Sequence, residues 1–121
     1  VNADRYLLTF ENGNHNSGAA MPVPNELLAA DSPFYTHYVD AVWDTARMNN
    51  IAQHFATAFF GVYIKGDETL NEYLDVPVEN SIDGVYAVDD SGEFTDEHTY
   101  WAGFPARSAV GLRLEHSTPQ E

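Results

Sequence analysis

Tyr38–Lys65, YVDAVWDTARMNNIAQHFATAFFGVYIK, decides how the rest of the chain is read. Val39, Val42, Trp43, Ala46, Ile51, Ala52, Phe55, Ala58, Phe59, Val62 and Tyr63 recur at three- and four-residue intervals, the spacing that lines one face of an α-helix. Asp40, Asp44, Arg47, Asn50, His54 and Lys65 fall largely on the other side. Acids near the start and a lysine near the end complement the helix dipole, and Gly66 is placed to cap the C-terminus. The pattern predicts one long amphipathic helix of about 26 residues, near 39 Å in length. Its apolar face is wider than a chain of 121 residues can easily cover. That excess predicts a covering partner, either a second protomer or the rest of a larger sheet.

Upstream, Arg5–Phe10 (RYLLTF) is short and apolar and ends at a Gly/Asn cluster, which reads as a buried strand. Glu11–Ser17 (ENGNHNS) follows as a sharp loop, since Asn12, Gly13 and Asn14 tolerate positive φ. The stretch Gly18–Pro33 carries Pro22, Pro24 and Pro33 and is expected to be irregular, with at most a short helix near Glu26–Ala30. Downstream, Asp67–Leu74 (DETLNEYL) reads as a short helix with Leu70, Tyr73 and Leu74 inward. Gly84–Val88 and Glu93–Thr95, joined by Asp89-Asp90-Ser91-Gly92, can form a hairpin. Gly103-Phe104-Pro105 is a turn, Ala109–Leu114 (AVGLRL) a closing strand or short helix, and the tail after Glu115 is expected to be loose. The predicted class is α+β: a dominant helix with few short strands. The organisation is read as residues 1–75, holding strand, histidine loop and helix, and residues 76–121, an extension with a possible hairpin.

The whole composition bounds the function. Apolar residues make up 44% of the chain and aromatics 13%, a globular composition. Five Lys and Arg stand against nineteen Asp and Glu, for a formal charge of −14. Such a field repels nucleic acid and anionic lipid, so neither is an expected partner. Without cysteine, disulfides, thiolate zinc sites and Cys nucleophiles are excluded, while the compartment is left open. The chain opens at Val1 with no Met and no signal-like segment, which reads as a removed leader or as the carboxy-terminal piece of something longer.

His15 is the leading candidate for chemistry. It lies in the tight loop after the first strand, flanked by Asn14 and Asn16, where an imidazole can face a cleft and move a proton. The remaining constellations have plainer readings. His37, Asp40 and Asp44 approach metal-ligand spacing but read as a charged helix start. His54 reads as a hydrogen-bonded or surface histidine. Asp89, Ser91 and Glu93 read as an acidic turn rather than a calcium loop, Asp96, Glu97 and His98 as a solvated edge, and Tyr100-Trp101 as packing. No cofactor or metal is expected.

The runs YLLTFENGNHNSGA, VWDTARMNNIAQHFATAFFGVYIKGDETLNEYL and GFPARSAVGLRLE resemble the carboxy-terminal part of an α/β-hydrolase, nearest to the dienelactone hydrolase-like branch. The likeness covers roughly residues 5–75, with a weaker echo at 103–115. In that fold the last sheet strand leads into a loop bearing the triad histidine, and a long helix packs back on a doubly wound, mostly parallel sheet. The resemblance implies that His15 is the general base of a serine hydrolase acting on a small-molecule ester or lactone. It also implies that the nucleophile and the triad acid precede Val1, because triad order there is Ser, acid, His. No G-x-S-x-G occurs in the 121 residues, and Ser17, Ser32, Ser81, Ser91 and Ser108 all lack the flanking glycines. The chain alone is therefore expected to be inactive. The alternative reading is a non-catalytic, acidic interaction or oligomerisation module.

Overall fold

A computed structural model describes residues 2–16, 21, 23–28, 34 and 38–119. Strand β1, Arg5–Phe10, pairs antiparallel with β2, Leu112–Ser117, with Leu8 opposite Leu114 and Phe10 opposite Leu112. The pleat sends Tyr6, Leu8 and Phe10 of β1, with Leu112 and Leu114 of β2, to the covered face. Leu7 points the other way and is 58% exposed. β1 is thus half-buried rather than fully buried, because a two-stranded sheet here has only one face covered. β2 continues past Glu115, so the expected loose tail is corrected as far as Ser117. His116 lies flat on Tyr6, with ring centroids 4.1 Å apart, and its Nε2 is 3.0 Å from the Asp4 carboxylate.

The covering layer is the main helix, α2, which follows a short α1 at Asn25–Leu28, spans Thr45–Phe60 and continues as a π-helical turn over Gly61–Lys65. Met48, Ile51, Phe55 and Ala58 of α2 are buried: Ile51, Phe55 and Ala58 lie on the expected apolar face, Met48 joins them without having been expected there, and Val42 and Ala46, which were, are exposed. The helix starts seven residues later than the expected Tyr38. Asp40 and Asp44 are the reason: the Asp40 Oδ1 accepts the Val42 and Trp43 N–H groups at 2.8 Å each, closing a turn. Asp44, with extended backbone, then accepts the Arg47 N–H and caps the true N-terminus. Trp43 is buried from the loop, not from the helix. It meets Phe10 edge-on at 5.0 Å, donates its indole N–H to the Glu11 carbonyl, and covers Gly111, where a side chain would collide with the indole.

At the far end, Leu70 sits against Gly61 and leaves no room for a side chain there. Gly66, at φ 71°, closes the turn in the left-handed conformation, so the expected cap falls where it was placed. Phe60, Tyr63 and Ile64 are 54%, 44% and 74% exposed; Tyr63 belongs to the expected apolar face, whereas Phe60 and Ile64 fall outside it. The expected helix at 67–74 is a 3₁₀ helix over Glu68–Tyr73, capped by Asp67, and it turns Leu74 into the core.

Beyond Leu74 the chain wraps the same core. A 3₁₀ turn, Ser81–Asp83, is anchored by the Ser81 hydroxyl, which donates to the Ala109 carbonyl at 2.6 Å. Trp101 donates its indole N–H to the Val78 carbonyl, and the Tyr100 hydroxyl accepts the Ala109 N–H. Both aromatics are core residues. The expected hairpin is a loose ribbon: Val88 bridges Phe94, Asp89 bonds Glu93, and Thr95 bonds Ala87. Leu114 N–H donates to the Glu79 carbonyl, which partly fills the outer edge of β2. The architecture is mixed α+β, a two-stranded antiparallel sheet beneath one principal helix and several short helical turns.

Candidate functional site

His15 lies in a loop whose backbone is fixed on both sides while its ring is exposed. Asn12 adopts φ 57°, and Gly13 N–H returns to the Phe10 carbonyl, so the chain turns sharply as it leaves β1. Glu11 N–H donates to the Gly111 carbonyl at 2.8 Å, tying the loop base to the approach of β2. Asn14 then does most of the holding. Its backbone N–H donates to the Asp40 Oδ2 at 2.7 Å, and its side-chain amide donates to the Val39 carbonyl at 3.0 Å. Its side-chain oxygen accepts the Asn16 N–H at 2.9 Å, which brackets His15 from the other side. The Asp40 carboxyl is held below the usual carboxylate range by these N–H donors, first that of Asn14 and then those of Val42 and Trp43. Among the described residues no side chain bonds to the His15 imidazole.

Two other histidine environments differ from their sequence readings. His54 projects from α2 into a box made by Phe55, Tyr73 and Phe104, whose ring centroids lie 4.9, 5.1 and 5.0 Å away, all edge-on. Its Nε2 is sealed and has no hydrogen-bond partner, so the expected hydrogen bond is absent at that nitrogen, while the residue as a whole is half-buried at the edge of a groove. Burial holds its pKa below the ordinary histidine value. Gly103, at φ 81°, closes the box, and a Cβ there would fall 2.7 Å from the His54 Cε1. His98 accepts the Ala87 N–H at Nδ1 and stacks on Phe94 at 4.0 Å, so it braces the ribbon while Asp96 and Glu97 are solvated.

Beside His54 a groove of about 580 Å³ runs between α2 and the segment 103–108. Arg47 stands at its edge, 4.5 Å over the Trp43 ring, and donates to the Ser108 and Val110 carbonyls at 2.9 and 3.0 Å. It acts as a strap between α2 and the segment leading into β2.

Three of the described serines have their hydroxyls engaged with a carbonyl or carboxylate oxygen, not with a histidine. Ser81 is buried and bonded to a carbonyl, Ser91 donates to Asp89, and Ser108 donates to the Pro105 carbonyl. Ser17, Ser32 and His37 lie outside the described residues. Asp89 is the hub of an acidic turn, accepting from the Ser91 hydroxyl and from the Ser91 and Glu93 N–H groups, which hold its carboxyl down. Among the described residues no three His, Asp or Glu side chains converge to hold a metal. No helix in that set is long and apolar enough to cross a membrane. No family model matches the chain, and neither does any curated protein or any solved structure.

The role of Asp40 was missed in the sequence, where it was assigned to a helix face. The available signal was Asp40-x-Val42-Trp43, an Asp two and three residues before the N–H groups it can accept.

Proposed function

We propose that this chain supplies the triad histidine of a serine hydrolase that cleaves a small ester or lactone, with His15 as the base. One observation carries the reading. A strand runs straight into a tight loop that presents a bare imidazole to solvent, and the loop is pinned to the entry of the helix that packs back on that strand. A triad base needs this combination of a rigid backbone and a ring free to meet a nucleophile from elsewhere. In this role His15 takes the serine proton as the serine oxygen attacks the acyl carbon. It returns that proton to the departing alkoxide, then deprotonates the water that attacks the acyl-enzyme and passes this proton to the serine oxygen as the acid leaves. The serine, the triad acid and the oxyanion donors belong to residues outside these 121, none of which forms a G-x-S-x-G elbow.

The test uses the natural full-length product. Its intact mass is expected to exceed 13.5 kDa, a serine-directed phosphonate probe is expected to label it, and His15→Ala is expected to lower ester turnover at least ~10³-fold. A probe-silent product, or a His15→Ala variant with near-normal turnover, removes the assignment.

A second reading, an acidic interaction module, draws on the exposed Phe60, Tyr63 and Ile64 and on the outer edge of β1, which pairs with no second strand among the described residues. It predicts an oligomer with no esterase activity in the natural product. In the hydrolase reading the same surface is covered by the remainder of the protein or by a second copy.

A further inference from the structure

We propose that Asp40 is a positioning residue for His15, clamping the histidine loop to the entry of α2 through Asn14. The proposal rests on the hydrolase reading above and adds to it a residue outside the strand, the loop and the helix proper.

The two oxygens of Asp40 divide their work. Oδ1 accepts the Val42 and Trp43 N–H groups and shapes the turn that precedes α2. Oδ2 accepts the Asn14 N–H, one residue before His15. The reciprocal bond from the Asn14 side chain to the Val39 carbonyl makes the tie double. Asn14 also holds Asn16, so the backbone on either side of His15 is referred to Asp40 within one or two bonds. Trp43, whose N–H is one of those bound by Asp40, reaches back to the Glu11 carbonyl with its indole and fixes the other end of the loop. Every link is short, and the anchoring element is the start of the principal helix. A loop held this way keeps an imidazole in register with a nucleophile, and a displacement of about 1 Å in such a group can cost ~100-fold in rate.

The division between the two oxygens supplies the experiment. Asp40→Asn keeps one acceptor oxygen for Val42 and Trp43 but faces the Asn14 N–H with an NH₂, so it breaks the loop tie and spares the helix entry. Asn14→Ala keeps the backbone N–H that bonds Asp40 and removes the second half of the tie, the side-chain bonds to the Val39 carbonyl and from the Asn16 N–H. Both are made in the full-length enzyme beside His15→Ala and assayed with a p-nitrophenyl ester and by backbone amide exchange. The expected result is kcat lowered ~10- to 100-fold with KM within twofold in both tie variants. In Asp40→Asn the Asn14 and Asn16 amides should exchange faster, with Val42 and Trp43 unchanged. If His15→Ala is inactive but both tie variants keep kcat within twofold, the positioning role is overturned and the hydrolase reading stands. If KM rises in step with the loss, or the Val42 and Trp43 amides loosen equally in Asp40→Asn, the effect is general unfolding and the role is overturned. If His15→Ala is active, the hydrolase reading falls and takes this proposal with it.

Discussion

His15 and His54 stand at opposite ends of what a protein can do with an imidazole. His15 has a fixed backbone and a bare ring; every bond described in its loop is made by its neighbours. His54 has its ring fixed by three aromatic edges, with one nitrogen sealed from water and from every hydrogen-bond donor. The first arrangement leaves a proton-carrying group available to another molecule. The second spends a polar side chain on packing, and it is favourable only while that side chain is neutral. Residue type is the same in both, so the surroundings alone separate a candidate base from a structural ring.

The sharpest way to break this contrast is at Gly103. Its φ of 81° is a conformation that β-branched residues avoid, and a Cβ there presses on His54 Cε1 and on the Tyr73 ring. Gly103→Val is expected to destabilise the protein by about 2–4 kcal/mol, combining backbone strain with displacement of the box wall. Thermal melting checks it. A Tm within a degree or two of the parent means that the box has room to yield.

His54→Phe asks whether the sealed nitrogen contributes anything. Replacing an unpartnered buried polar atom with carbon removes a desolvation cost without opening a cavity, so this variant should be at least as stable at pH 7 as the parent. The pH dependence has a definite sign. Burial depresses the folded-state pKa of His54, so between the folded and unfolded values the unfolded chain binds more protons. Parent stability therefore falls as pH drops below the ordinary histidine range, about 6.5, and levels off below the folded pKa. His54→Phe lacks this contribution, so its advantage over the parent should widen as pH falls from about 7.5 to 5.5. Denaturant titrations of both proteins across that range measure the gap. A constant gap means that His54 charges freely in place.

The two environments were unequally legible in the sequence, for physical reasons. The period of Ile51, Phe55 and Ala58 shows which face of α2 is buried, since the pattern repeats at each turn, while Met48 shares that face without being marked by it. The start of α2 was misplaced because Val42 and Trp43 are apolar at compatible spacing, although Trp43 is buried by Phe10 and Gly111 from distant parts of the chain. The strand at Arg5–Phe10 was legible, but β2 was cut short at Leu114. Glu115, His116 and Ser117 are polar, and it takes the stack on Tyr6 and the contact with Asp4, both from the far end of the chain, to show what holds His116 there. His15 could be picked out because an Asn/Gly-rich turn after an apolar run is a local signal. The seal on His54 could not, because Tyr73 and Phe104 come from elements with no periodic relation to α2.

The smallest expected effect is also the one that keeps the comparison fair. His15→Ala removes an exposed ring with no described partner, so the folded state loses almost nothing: stability should change by no more than about 0.5 kcal/mol, a shift of a few degrees at most in Tm. Circular dichroism melts of the variant and the parent, at matched pH, decide this. The result matters because a lost activity in His15→Ala speaks for chemistry only if the fold is intact. Were His15→Ala to melt much earlier, its ring would be bearing on neighbours after all, and the distinction from His54 would be one of degree. With an unchanged melt, the loop owes its shape to Asn14, Asp40 and Trp43, and the imidazole is carried by that frame without contributing to it.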